Sequence, residues 1–207
     1  MIMHLLFADS AAQIVSHRVA TSWAWYVVRA AGIVAAGLLI LLVISGIGLV
    51  TGYTYRLFEP IQAWVIHRAL GLALLASVVV HVLFILFDKI VPFSILNVIL
   101  PFNSGYKPVR LFGIALGSLW IALGILALYG IIIIIASSLG WIERRKKTWR
   151  LLHYLSYFVA FAVFLHALYL GTDLAHGIFR LLWLIVGVIL VIGVVMRLYR
   201  AGTIKHT

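Results

Sequence analysis

Ile61-Gln-Ala-Trp-Val-Ile-His67-Arg-Ala-Leu-Gly71-Leu-Ala-Leu-Leu-Ala-Ser-Val-Val-Val-His81-Val-Leu-Phe-Ile-Leu-Phe87 is a nearly unbroken apolar run interrupted by two histidines and one arginine. A helix of roughly 20 apolar residues crosses a hydrocarbon core about 30 Å thick. Within that core only a helix or a closed barrel satisfies its own backbone groups. The run is far too long for a strand, so it predicts a membrane-spanning helix.

Four further runs, at about 25–50, 111–138, 151–170 and 178–198, have the same character. Of the 207 residues, 65% are hydrophobic and only 10% charged, which leaves no room for a soluble catalytic domain. The fold expected is therefore all-α and integral to the membrane: a five-helix transmembrane bundle with an N-terminal interfacial segment. Residues 1–24 form that segment, 25–199 the transmembrane domain and 200–207 a short cytoplasmic tail. The N-terminus lacks the basic stretch and long apolar core of a secretory signal. Cysteine is absent, which excludes disulfides, thiolate-bound clusters and covalently attached haem.

The connectors carry breakers and charges: Thr51 to Pro60, Asp88 to Arg110, Leu139 to Arg150 and Gly171 to Gly177. The side holding the 51–60 and 139–150 connectors and the C-terminus has Arg56, Arg68, Arg144, Arg145, Lys146, Lys147, Arg150, Arg197, Arg200 and Lys205. The other side has Arg18, Arg29, Lys89, Lys107, Arg110 and Arg180. The positive-inside rule makes the richer side cytoplasmic and the N-terminus external, in a multi-pass protein of the plasma membrane. The net charge of +11 is thereby explained by topology, and nucleic acid is not implied. Val91 to Pro101 is apolar but too short to span, so it lies at the outer interface or dips into the bundle. Gly32 to Ala36 and Gly113-Ile-Ala-Leu-Gly117 supply small residues for close helix packing. No sequence repeat is evident beyond a shared histidine pattern in the second and fourth spans.

Four of the eight histidines lie inside spans. Ionisable groups at membrane depth are costly and by default functional, and neutral imidazole is a common axial ligand of haem iron. His67 and His81 are 14 residues apart, and His153 and His166 are 13 apart. At ~1.5 Å per residue the two separations are about 21 and 20 Å. The second and fourth spans run in the same direction, so His67 shares a depth with His153 and His81 shares one with His166. Two bis-histidine b-type haems follow, one per leaflet, with these four residues as metal ligands. A spacing of 13 leaves roughly 140° of angular offset, which implies a distorted fourth helix or ligands on different faces of it. All five acids, Asp9, Glu59, Asp88, Glu143 and Asp173, stand outside or at the edges of spans, unlike the buried carboxylates of proton-coupled transporters.

Trp149-Arg-Leu-Leu-His153-Tyr-Leu-Ser-Tyr157, followed by His166 and Gly171-Thr-Asp173, resembles the ferric-reductase-like transmembrane domain. That domain is shared by NADPH oxidases, ferric reductases and the haem subunit of the methionine sulfoxide reductase system. His67-Arg-Ala-Leu-Gly71 with His81 is similar to its other haem-binding helix. The resemblance implies electron flow from a cytoplasmic flavin through an inner haem on His67 and His153, then an outer haem on His81 and His166. The acceptor is then external: ferric iron, oxygen or a redox protein. No dinucleotide fingerprint is present and the chain ends at Thr207, so FAD or FMN is expected only on a partner, a flavin reductase, with a quinol as the other donor class. Arg68 and Arg150 at the inner pair and Arg29 at the outer are the expected partners of haem propionates. Trp64, Trp120, Trp141, Trp149 and Trp183 are expected among the interfacial anchors. A haem-free scaffold and a histidine-lined metal transporter are the alternatives.

Overall fold

The computed structural model describes the backbone of residues 2–107, 109–111, 114–116 and 118–203, and the side chains of 22–107, 118–197 and 199. Among the described residues five helices are long and apolar enough to cross a membrane: Ser22–Thr51, Pro60–Ile85, Leu119–Gly140, Lys146–Leu170 and Ile178–Arg197. The protein is an all-α, multi-pass membrane bundle.

The first helix, α1 (Ile2–Thr51), is 50 residues long. At 1.5 Å per residue it reaches about 75 Å, more than a bilayer core requires, and the segment expected to stand apart at 1–24 joins the first span without a break. α1 stops where Gly52 adopts φ 80°, a left-handed conformation that glycine enters without steric cost. A 3-10 turn at Tyr53–Arg56 follows, and Pro60 opens α2 (Pro60–Ile85). Its start is fixed by a reciprocal cap, in which Glu59 N–H donates to Gln62 Oε1 at 3.4 Å and the Glu59 side chain accepts from the Gln62 backbone.

The long connector after α2 contains a short helix, α3 (Ile95–Ile99), capped by Ser94. Tyr129 donates to Ile99 O at 2.6 Å. Tyr129 lies midway along α4 (Leu119–Gly140), so the segment bracketed by Pro92 and Pro101 leans into the bundle.

The third span begins later than its apolar content indicates. Residues Val109–Leu111 (β1) and Ile114–Leu116 (β2) form an antiparallel ladder with Val109 opposite Leu116, the one strand pairing among the described residues. An apolar run does not by itself distinguish strand from helix. The helix instead starts at a cap: Ser118 is fully buried, donates its N–H to Ser104 O at 2.8 Å and accepts Ile121 N–H at 3.4 Å. Gly113 and Gly117 lie outside the described residues, and the Ile114–Leu116 stretch between them is strand, so it does not supply the helical packing face expected of it.

The fourth span starts inside the basic connector as α5 (Lys146–His153), breaks at Tyr154 and resumes as α6 (Leu155–Leu170). Tyr154 N–H reaches Leu151 O and Tyr157 N–H reaches Tyr154 O, both at 3.2 Å. These three-residue hydrogen bonds overwind the helix just past His153 and take up part of the 13-residue angular offset. α7 (Ile178–Thr203) closes the bundle and runs past residue 199, the expected domain end; the last four residues lie outside the described ones.

α1 packs chiefly on α2, and α4 on α6. The core is where these four meet, built from Leu39, Leu74, Ala127, Ile131, Val159 and Ala162. Gly130 lets α4 and α6 touch, since a Cβ there would lie 2.5 Å from Val159 Cγ2. α7 is peripheral: Trp183 stacks on Phe164 at 5.5 Å, while Leu181, Val188 and Ile192 face outward, as lipid-contacting side chains do.

Candidate functional site

The bundle brings the four span histidines together in two pairs. The His67 and His153 rings stand 6.2 Å apart between centroids, and those of His81 and His166 6.4 Å apart. α2 supplies one ring of each pair, and the α5–α6 span the other.

Each ring is oriented from the helix behind it. His81 Nδ1 lies 2.9 Å from Val28 O, and His166 Nδ1 lies 2.9 Å from Trp120 O. A carbonyl only accepts, so both Nδ1 atoms carry the proton and both Nε2 atoms keep a free lone pair. His67 reaches the same state through Ser45, whose hydroxyl donates to Leu42 O at 2.9 Å and accepts from Nδ1 at 2.8 Å. His153 differs: its Nδ1 is buried with no hydrogen-bond partner.

Glycines make these approaches possible. A Cβ on Gly32 would lie 3.2 Å from the His81 ring, one on Gly46 3.3 Å from His67, and one on Gly124 2.5 Å from His166 Nδ1. A larger residue at Gly124 would push the His166 ring off its acceptor, while one at Gly32 or Gly46 would ask the ring to give by a few tenths of an ångström.

The arrangement fits a metal held between facing imidazoles. An imidazole nitrogen binds a first-row metal at about 2.0–2.1 Å, so two trans imidazoles place their centroids roughly 6 Å apart. Both pairs meet that spacing, and three of the four rings are fixed in the metal-binding tautomer by groups behind them, the usual outer-shell arrangement for ligating histidine. Among the described residues no three metal-binding side chains cluster, so each level offers two protein ligands only. Two axial nitrogens are what a macrocycle with four equatorial nitrogens of its own leaves to the protein.

The three arginines expected to partner propionates stand as follows. Arg29 forms an ion pair with Asp173 and lies 4.2 Å above the Trp25 ring, so its charge is already balanced. Arg68 is exposed and sits over Trp64 at 5.5 Å, and Arg150 is exposed at the end of α5. The cation that does approach a pair is Arg197 of α7. It lies 5.2 and 5.3 Å from the rings of Tyr154 and Tyr157, which flank the helix break beside His153, and its Nη1 is buried without a hydrogen-bond partner. Its position 44 residues beyond His153 gave no local signal.

Phe158 and Phe161 face outward from α6 and do not fill the space between the levels. After α6, Arg180 donates to Leu168 O and Leu174 O, at 3.4 and 3.0 Å, and so caps the end of that helix.

The fold is thus that of a multi-pass helical membrane protein with two close histidine pairs inside its spans. The chain belongs to the family described as ferric reductase like transmembrane component, which matches residues 31–165. That match includes His67, His81 and His153 and ends one residue before His166. Membership makes the chain a transmembrane electron-transfer component of a family whose domains generally bind haem and work with redox partners. Comparison with curated proteins and with solved structures gave no match.

Proposed function

We propose that this protein is a di-haem b-type cytochrome that moves electrons across the plasma membrane from a cytoplasmic donor to an external acceptor. The observation that carries the reading is the His81–His166 pair: rings 6.4 Å apart, each with Nδ1 tied to a carbonyl at 2.9 Å and Nε2 left free. His67 and His153 hold the inner haem, His81 and His166 the outer.

Haem supplies the one-electron chemistry. The chain's own residues fix the imidazole tautomers, exclude water from the spans and hold the two levels on rigid helices. Arg197 replaces Arg68 and Arg150 as the cation beside the inner level, where its free Nη1 suits a propionate oxygen. Arg29 acts at the outer level by bracing α1, from which Val28 orients His81.

The donor is a flavin reductase carrying FAD or FMN, or a quinol. The exposed cations Lys146, Lys147 and Arg150 at the cytoplasmic end form a face for an acidic donor. The acceptor is ferric iron, oxygen or a redox protein.

Replacement of His81 or His166 by leucine tests the layering. Each variant should lose one of two haems and keep the other reducible from the cytoplasmic side. Loss of both haems together would contradict it.

A further inference from the structure

The two helices that stand behind the histidines share several small and hydroxyl residues at one offset, and they differ at one position that lies against a ring. Ala30, Gly32, Ala35, Ser45 and Gly48 of α1 correspond at a fixed offset to Ala122, Gly124, Ala127, Ser137 and Gly140 of α4. Three of the contacts correspond too. Val28 O and Trp120 O take the two outer imidazoles, and Gly32 and Gly124 lie against those rings. The hydroxyls of Ser45 and Ser137 both turn back to carbonyls, at Leu42 and Ile134, at 2.9 and 3.0 Å.

In this register the counterpart of Gly46, which lies against His67, is Ser138. The antiparallel packing of α4 on α6, set by Gly124 against His166 and Gly130 against Val159, carries Ser137 and Ser138 to the height of His153. Three stations therefore present a glycine and an acceptor. The fourth presents a side chain, and its hydroxyl accepts from Trp149 Nε1 at 3.1 Å. The Trp149 ring lies 5.2 Å from His153, whose Nδ1 is left without an acceptor.

We propose that Ser138 is a positioning residue that keeps His153 from the acceptor expected of α4, the Ser137 hydroxyl that corresponds to Ser45, and that this makes the inner histidine level the higher-potential of the two. The inference rests on the haem reading above. An imidazole that donates Nδ1–H to a strong acceptor becomes a more basic ligand and stabilises the oxidised metal. The outer level has two carbonyl acceptors, whereas the inner has one hydroxyl and one empty station. Charge acts in the same sense. Arg197 stands beside the inner level and favours the form holding the extra electron, while Arg29 at the outer level is neutralised by Asp173. An electron delivered from the cytoplasm thus rests on the inner level until an external acceptor draws it outward.

An anaerobic redox titration of the haem-loaded full chain in detergent, followed by its visible spectrum, reads this directly. Two waves are expected, and in His81→Leu the surviving wave should be the upper one. Ser138→Gly should move the upper wave down and leave the lower in place. Ser138→Ala frees the Trp149 indole equally but keeps the Cβ, and should move neither. Survival of the lower wave in His81→Leu, no shift in Ser138→Gly, or equal shifts in the glycine and alanine variants would overturn the inference while leaving two haems in place. A chain that takes up no haem would instead overturn the reading beneath it.

Discussion

Arg29 and Asp173 meet through two contacts, Nε to Oδ2 at 3.1 Å and Nη2 to Oδ1, across 144 residues of chain. The pair ties α1 to the outer connector that follows α6, and so links the helix that orients His81 to the one that carries His166. The two side chains are 31% and 35% exposed, so solvent and headgroups weaken the attraction. A double-mutant cycle on thermal stability with Arg29→Gln and Asp173→Asn should give a coupling energy of about 1 kcal/mol. Independent, additive effects would show that the two elements are held by something else.

The glycine behind His166 gives a sharper contrast. In Gly124→Val the new side chain begins 2.5 Å from His166 Nδ1, so the ring must leave Trp120 O. Haem content should fall by half, with the outer level lost. Gly37→Ala meets nothing within 4 Å and should bind as wild type, with stability unchanged or raised by about 0.5–1 kcal/mol. Equal haem loss in both variants would mean that glycine in these helices serves flexibility rather than ring access.

Arg197 should act on the inner level by charge. Arg197→Gln should lower the potential of that level by tens of millivolts, a tenfold change in equilibrium being about 59 mV for a one-electron couple. Arg68→Gln and Arg150→Gln, both at exposed positions, should move it much less. A larger shift from either of these than from Arg197→Gln would restore the assignment made from sequence position.

Orientation can be read by labelling, because the chain has no cysteine of its own. In intact cells an impermeant thiol reagent should modify Lys89→Cys and spare Lys147→Cys, both exposed positions. The reverse pattern would invert the membrane topology and the direction of electron flow with it.

The helices and the histidine pairs were legible in the sequence for one reason: the bilayer imposes a length on every span and a heavy penalty on polar groups within it. The start of α4 was hidden because Ile114-Ala-Leu116 is apolar enough for either a strand or a helix, and Ser118, which caps the helix, is an unremarkable residue until its partners are known. Arg68 and Arg150 were assigned by nearness along the chain to His67 and His153, and Arg29 by its depth in the first span. A long flexible cation goes where its partner is, and Arg29 found Asp173 far along the chain while Arg197 came to His153 from another helix. The correspondence of α1 with α4 was invisible for a related reason. Only a few positions are held in common, and which of them meet a histidine depends on how the helices pack.

The most direct measurement is a reduced-minus-oxidised visible spectrum of the purified full chain from haem-replete cells, with haem extracted and counted against protein. The proposed function predicts low-spin b-type bands and two haems per chain. Protein that is folded and free of haem would contradict the assignment of all four histidines.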